Sequence, residues 1–111
     1  MFSGTAHRYK EGFIGENVHL LCGVNTTSGE NVDWHCQKSQ DAKPDRIISK
    51  GHVTNGQFEG RLNITGSTLV IRNIKTIDSG NYTCVEDAGH GPSHSIFLTV
   101  RGKVGERVFK L

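Results

Sequence analysis

The sequence lacks any long apolar run, and this absence excludes a membrane-spanning helix. Its apolar stretches are a few residues long, whereas a helical span needs roughly 20 residues. We therefore expect no direct membrane insertion by this segment, and any anchor would lie beyond Leu111. The first residues also lack the apolar core of a signal peptide, so a secreted parent protein would already have lost its signal.

The chain also has little excess charge of either sign. It carries 13 basic and 11 acidic residues, a formal net charge of +2, and the two signs are interspersed. Proteins that bind nucleic acid or anionic lipid show a basic patch or stripe instead. The composition therefore excludes nucleic acid as an expected partner.

No residue pattern is typical of an active site, a metal site or a cofactor site. His35 and Cys36 are adjacent, and neighbouring residues of a strand point to opposite faces, so the two side chains are not expected to share a metal ion. His90 and His94 could reach one ion, but we interpret them as solvated loop histidines. We expect a protein that is not an enzyme, with no catalytic residues, no metal ligands and no cofactor.

The sequence does contain many short segments in which apolar and polar residues alternate. Val18, Leu20 and Cys22, for example, share one face of such a segment. Alternation with a period of two indicates strands with one face in the core, and no stretch keeps a helical period over three turns. The pattern predicts an all-β sandwich or barrel, with a single domain over residues 1–101 and a tail or linker over residues 102–111.

The cysteines narrow the fold further. Cys22 and Cys84 lie in predicted strands on inward faces, and Trp34 lies between them in the chain. This order is typical of a sandwich in which a disulfide joins two sheets and packs against a buried indole. Because such a bridge needs an oxidising compartment, we expect an extracellular protein, either secreted or on the cell surface. Cys36 is left over, and its inward parity favours a buried free thiol over a bridge to a partner chain.

The run Asp78-Ser79-Gly80-Asn81-Tyr82-Thr83-Cys84 resembles the D-x-G-x-Y-x-C motif at the corner between strands E and F of the immunoglobulin superfamily. The resemblance spans about residues 13–100 and implies an immunoglobulin-like, antiparallel Greek-key sandwich of two sheets. It also implies that Tyr82 forms a tyrosine corner and that Arg61 forms a salt bridge with Asp78. The expected core contains Leu20, Trp34, Leu69, Ile71 and Tyr82.

The chain length between Trp34 and Cys84 indicates the type of domain. It is 50 residues, long enough for the additional strands C′ and C″ of a variable-type (V-set) domain. Residues 34–38 and 43–48 also resemble the C–C′ hairpin of antigen-receptor light chains, although the F-G-x-G bulge of antigen receptors is absent. We expect the variable type, with the intermediate type (I-set) as the alternative.

In variable-type domains, the outer face of the sheet formed by strands G, F, C and C′ often meets a ligand or a second copy. By parity with Trp34, His35 and Gln37 point outward on strand C, and Gln37 resembles the light-chain interface glutamine. The predicted binding face contains His35, Gln37, Ile47, Val85 and Phe97. Single apolar residues on a surface are ordinary, but their clustering on one sheet makes an interface an equal alternative. A histidine at the centre of this face would weaken association at mildly acidic pH.

Three acceptor triplets for N-glycosylation begin at Asn25, Asn63 and Asn81. Glycans on a protein-binding domain are expected to mark surfaces other than its binding face. We therefore expect a glycoprotein in which these residues lie away from the predicted face.

These features predict a recognition module of a cell-surface receptor or adhesion protein. It would bind itself, as a homodimer, or another immunoglobulin-like domain through the predicted face. One alternative is immune-type recognition of foreign or carbohydrate ligands through the B–C, C′–C″ and F–G loops. The loop of residues 86–93 has no aromatic residue, and aromatic residues supply many binding hot spots, so the sheet is favoured. A second alternative is a spacer domain of a larger ectodomain.

Overall fold

The computed structural model describes residues 8–23, 32–54, 58–86, 91 and 93–102. They form the strands β1 (Arg8–Phe13), β2 (Val18–Leu20), β3 (Asp33–Gln37), β4 (Asp45–Ser49), β5 (His52–Val53), β6 (Leu62–Thr65), β7 (Thr68–Ile71), β8 (Gly80–Val85) and β9 (Ser93–Arg101), with a 3-10 turn at Thr76–Asp78. No helix among the described residues is long and apolar enough to cross a membrane. Apart from Gly102, the predicted tail lies outside the described residues.

The strands form two sheets that face each other. The large sheet has the order β1-β9-β8-β3-β4-β5, and the small sheet has the order β2-β7-β6. This arrangement confirms the all-β sandwich of two sheets. One pair departs from the expected antiparallel arrangement, because β1 runs parallel to β9 and places Tyr9 opposite Phe97. These two strands are far apart in the chain, so no tight hairpin dictates their relative direction.

Glycines allow the chain to turn and to approach itself closely at two positions. The pairing of Thr65 with Thr68 leaves Gly66 and Ser67 as the turn between β6 and β7. Gly66 has a φ of +60°, a left-handed conformation that glycine adopts without the strain of a side chain. At Gly80, an added Cβ would lie 2.9 Å from the carbonyl oxygen of Gln37, so the close approach of β8 to the end of β3 requires glycine.

The core lies between the sheets and contains the predicted bridge. A disulfide joins Cys22 and Cys84, whose Cα atoms are 5.6 Å apart. Trp34 pairs with Cys84 across β3 and β8, and its indole N–H donates to the carbonyl oxygen of Ser67 at 3.3 Å. The indole therefore also ties the large sheet to the turn of the small sheet. The remaining predicted core residues are also buried: Leu20, Leu69, Ile71 and Tyr82.

The structure contradicts the predicted outward orientation of Ile47. Both Ile47 and Ile48 of β4 are fully buried in the core. The pairing of β3 with β4 shifts at this point, since Trp34 lies opposite Ile48 whereas His35 lies opposite Arg46. Ile47 is the extra residue of a β-bulge, and a bulge interrupts the regular alternation of side chains. The prediction assumed unbroken alternation along β4, and it was wrong.

Candidate functional site

The corner before β8 contains a buried network of polar groups that bond to one another. The two terminal nitrogens of Arg61 donate to the carboxylate oxygens of Asp78 at 2.6 and 3.0 Å. Asp78 also accepts a hydrogen bond from the backbone N–H of Lys75 at 2.8 Å, and the Tyr82 hydroxyl donates to the Asp78 carbonyl oxygen at 2.5 Å. The hydrogen bond to Asp78 raises the pKa of Arg61. The pair is buried, and these bonds offset the desolvation of both charges.

The outward residues of the large sheet form two rows that cross its strands, which we call the candidate face. The strands β3, β4, β8 and β9 that carry most of it correspond to strands C, C′, F and G of the resemblance. The upper row contains Ser95, Thr83, His35 and Arg46. The lower row contains Tyr9, Phe97, Asn81 and Gln37.

The upper row is more polar than the sequence predicted. The hydroxyls of Thr83 and Ser95 form a hydrogen bond of 2.9 Å. Arg46 lies 3.8 Å from the carboxylate of Asp33, which is buried at the end of β3. Val85 is half-buried beyond this row, opposite Asp33. With Ile47 in the core, little apolar surface remains at the centre of the candidate face.

His35 lies at the centre of the upper row and is half-buried. Its Nε2 atom is buried and has no hydrogen-bond partner among the described residues. A buried polar atom without a partner loses its hydration and gains nothing in return. This nitrogen therefore lowers the stability of the described fold, because it is shielded from solvent and makes no hydrogen bond within it.

Gln37 lies in the lower row, but its amide group holds a loop of its own chain. Its side-chain N–H group donates to the carbonyl oxygens of Ala42 at 2.8 Å and of Gln40 at 3.4 Å. Both acceptors belong to the connection between β3 and β4. The Gln37 amide is thus less available to a partner than the interface glutamine of the resemblance implies.

The exposed aromatic pair of the lower row is the most apolar part of the candidate face. Tyr9 is 78% exposed and Phe97 is 44% exposed, and their rings meet edge to face with centroids 6.3 Å apart. Sequence reasoning missed Tyr9 because its place beside Phe97 depends on the long-range pairing of β1 with β9. The segment Arg8–Phe13 has no apolar alternation that could have indicated the pairing.

A concave pocket of about 350 Å³ lies beside this pair. Tyr9 and Phe97 provide aromatic walls, while Gln37, Asn81 and Ser95 provide amide and hydroxyl groups. This mixture of aromatic walls and a few polar groups is the usual composition of a ligand pocket. The pocket joins both rows, so a ligand seated in it would contact much of the candidate face.

The described residues that could gather around a metal ion do not form a credible metal site. Ligand atoms of Cys22, Glu86 and His94 lie within 4.8 Å of one another. However, Cys22 is held in the disulfide, and a metal ligand requires a thiolate. His94 Nε2 instead forms a hydrogen bond of 2.7 Å with Glu86. His90 lies outside the described residues.

Cys36, the remaining cysteine, is free and buried. Desolvation by burial raises the pKa of its thiol, which keeps it protonated and unreactive at neutral pH. Both observations agree with a small apolar packing residue and leave no exposed sulfur for a bridge to a partner chain.

The predicted glycosylation residues lie in different parts of the molecule. Asn25 is outside the described residues, and Asn63 is exposed on β6, opposite Val70 of the small sheet. Asn81 is half-buried on β8 between Gln37 and Phe97. It therefore lies in the lower row of the candidate face. The expectation that all three residues lie away from this face was wrong for Asn81, because its side chain projects from the large sheet on the same side as Phe97.

A sequence profile of the immunoglobulin domain family matches residues 5–87. Since the match covers most of the chain and the two-sheet sandwich agrees with it, the protein belongs to the immunoglobulin domain family. The resemblance of the E–F corner motif is thereby confirmed.

Curated relatives of this chain are much longer proteins. The chain is 34% identical to human hemicentin-1 over 101 residues, which cover 84% of the chain and 2% of hemicentin-1. It is 32% identical to rat contactin-3 over 79 residues, which cover 70% of the chain and 8% of contactin-3. It is 33% identical to myelin protein P0 of Heterodontus francisci over 122 residues of alignment, which cover 92% of the chain and 49% of that protein. The chain thus spans a small part of the first two relatives and about half of the third.

Solved structures agree with the fold. The first immunoglobulin domain of the mouse polymeric immunoglobulin receptor superposes with a TM-score of 0.66 at 22% identity, covering 86% of this chain and 91% of that domain. The extracellular domain of the voltage-gated sodium channel beta4 subunit superposes with a TM-score of 0.61 at 18% identity, covering 94% of this chain and 98% of that one. For beta4, parallel homodimer structures explain a role in cell–cell adhesion.

Proposed function

We propose that this domain is a non-enzymatic recognition module of an extracellular adhesion or receptor protein. It binds a second copy of itself, or another immunoglobulin-like domain, through the candidate face. The observation that carries the proposal is the exposed aromatic pair of Tyr9 and Phe97 beside a pocket lined by Gln37 and Asn81. Tyr9 and Phe97 are the only aromatic residues among the exposed large apolar side chains of the described residues.

The composition of the candidate face supports a protein partner. Aromatic residues are enriched among the residues that dominate binding energy, and they are usually surrounded by polar contacts that exclude water. Here the Tyr9–Phe97 pair lies beside the hydroxyls of Thr83 and Ser95 and the amide of Asn81. The face therefore offers an aromatic anchor with a polar surround.

The fold and the relatives support the remaining parts of the proposal. The short strand β5 extends the large sheet beyond β4, as a C″ strand does in variable-type domains. The disulfide requires an oxidising compartment, which favours an extracellular protein. The similarity to hemicentin-1, contactin-3 and myelin protein P0 supports an adhesion or recognition role. Most of the B–C and F–G loops of the alternative, immune-type interpretation lies outside the described residues. The C′–C″ connection is described, and it is a short turn at Lys50 and Gly51 between β4 and β5.

Analytical ultracentrifugation of the oxidised, unglycosylated chain over a wide concentration range tests self-recognition. We expect a reversible dimer that Phe97→Glu weakens by at least about 30-fold, because a hot-spot residue contributes about 2 kcal/mol or more. Leu21→Glu is the matched control, since Leu21 is also exposed, at 54%, but follows β2 of the small sheet. A strict monomer at every concentration would exclude self-recognition. The remaining alternatives would be binding of a different immunoglobulin-like domain, recognition of a ligand through the loops, or a spacer role.

A further inference from the structure

Asn81 combines two properties that conflict with each other. It is the acceptor of the triplet Asn81-Tyr82-Thr83, and it lies in the lower row of the candidate face. We propose that Asn81 carries an N-linked glycan that covers the candidate face, so that the presence of this glycan prevents recognition through it. The blocking of recognition rests on the proposed function, whereas the covering of the face does not.

The surroundings of Asn81 fit a sugar attached at this residue. Its side chain is partly exposed and lines the pocket of about 350 Å³ together with Tyr9, Phe97, Gln37 and Ser95. Pyranose rings pack their apolar C–H faces against aromatic rings, and their hydroxyls form hydrogen bonds with amide and hydroxyl groups. The pocket offers both kinds of group within reach of the attachment point.

A glycan in this position competes with a protein partner for the same surface. An N-linked glycan is bulky and strongly hydrated, whereas a binding hot spot must exclude water. A typical interface buries about 800 Å² on each partner, so an interface centred on the Tyr9–Phe97 pair would include the neighbouring Asn81. A glycan attached there would leave no room for a second domain to reach the aromatic pair.

The second described acceptor, Asn63, provides a natural contrast. Asn63 is exposed on β6, opposite Val70 in the small sheet. The small sheet forms the opposite side of the sandwich from the candidate face. A glycan at Asn63 adds similar mass and hydration to the domain but leaves the candidate face open. The two acceptors therefore form a matched pair within one chain.

The test uses the oxidised chain secreted from cells that add N-glycans, with Asn25→Gln in every variant. Asn63→Gln leaves a glycan only at Asn81, and the same sequence made in cells that add no N-glycans provides the bare domain with Asn81 unchanged. Asn81→Gln leaves a glycan only at Asn63 and is compared with bare Asn81→Gln, because this substitution also alters the candidate face. Mass spectrometry measures the occupancy of each residue. Hydroxyl-radical footprinting then measures the oxidation of Tyr9 and Phe97 on the candidate face, with Leu21 as the internal control, and ultracentrifugation measures association.

We expect Asn81 to be occupied, and its glycan to reduce the oxidation of Tyr9 and Phe97 several-fold without changing that of Leu21. We also expect the form glycosylated at Asn81 to stay monomeric while the same sequence without glycan associates, and we expect the glycan at Asn63 to leave the association of Asn81→Gln unchanged. An unoccupied Asn81, or unchanged oxidation of the aromatic pair, would overturn the proposal. If the glycan reduces the oxidation of the aromatic pair but the bare domain never associates, the glycan covers the candidate face. Self-recognition is then refuted independently of this covering.

Discussion

The corner before β8 and the candidate face use similar residue types in opposite ways. At the corner, the charged pair of Arg61 and Asp78 is buried, and Tyr82 donates its hydroxyl proton to the same loop. On the candidate face, Tyr9 is largely exposed. A buried nitrogen without a hydrogen-bond partner among the described residues occurs in both regions, at His35 Nε2 and at Arg61 Nε. Tyr82 is therefore buried and hydrogen-bonded within the fold, whereas Tyr9 is exposed and available to a ligand.

This difference separates residues that stabilise the domain from residues that can bind. Buried polar groups that bond to one another contribute to folding. Removing one of them leaves its partners in an apolar environment without a hydrogen bond. Exposed aromatic residues contribute little to folding and gain contacts from a ligand, whereas a buried polar atom without a partner lowers the free energy of unfolding. The strand β3 shows both kinds, because Trp34 and Cys36 face the core while His35 and Gln37 face outward.

Replacing Arg61 with alanine should have the largest effect on stability. The substitution leaves the carboxylate of Asp78 buried, with its side chain 1% exposed, and without its cation. Removing one partner of a buried ion pair lowers the free energy of unfolding by about 3–5 kcal/mol. Urea unfolding followed by the fluorescence of Trp34, the single tryptophan, measures the change.

Arg101→Ala is the control for this prediction. Arg101 pairs with Glu11 on the surface, where both side chains are more than half exposed, so its loss should change the free energy of unfolding by at most about 1 kcal/mol. If both substitutions destabilise the domain equally, the corner has no special role in stability.

Replacing Tyr82 with phenylalanine should have the next largest effect. The substitution removes the hydroxyl that donates to the Asp78 carbonyl oxygen, and an unpaired buried acceptor costs about 1–3 kcal/mol. Tyr9→Phe removes an exposed hydroxyl from the candidate face, and its effect should stay within about 0.5 kcal/mol. Equal losses in thermal or urea unfolding would contradict the contrast between the two regions.

Much of the corner could be predicted from the sequence, because its signals are local. The run from Asp78 to Cys84 specifies a turn, an inward tyrosine and an inward cysteine within a few residues. The inward orientation of Cys22, Trp34 and Cys84 could likewise be predicted, because apolar and polar residues alternate regularly around each of them. The parity of His35 and Gln37 on β3 could be read in the same way, since no bulge displaces them from the outer rows.

The candidate face was harder to predict because it depends on pairings between distant strands. The bulge opposite Trp34 moved Ile47 into the core, and nothing within β4 itself indicates where its pairing shifts. The position of Tyr9 beside Phe97 requires β1 to lie parallel to β9, about 90 residues further along the chain. The position of Asn81 in the face follows from the inward parity of Tyr82, since neighbouring residues of a strand point to opposite faces.

Cys36 lies on the core side of β3, and its replacement by alanine should have a smaller effect. Removing one buried sulfur lowers the free energy of unfolding by about 1 kcal/mol, comparable to the loss of a buried methylene group. Because burial also raises the pKa of the thiol, the folded domain should react with a thiol reagent only slowly at pH 8. Unfolding in urea should release one reactive thiol per chain while the disulfide stays intact. Rapid labelling of the folded domain would show that the sulfur is accessible, in disagreement with its burial.

Replacing His35 with leucine should have the smallest effect on stability, and in the opposite direction. The substitution removes an imidazole nitrogen that is buried without a partner among the described residues, so the free energy of unfolding should stay constant or rise by up to about 1 kcal/mol. His19→Leu is the matched control, because His19 is exposed on β2 of the small sheet. If self-association occurs, His35→Leu should weaken it while His19→Leu should not, as measured by ultracentrifugation alongside urea unfolding. A loss of stability specific to His35→Leu would show that this histidine supports the fold, and the contrast between the corner and the candidate face would then rest on the aromatic pair alone.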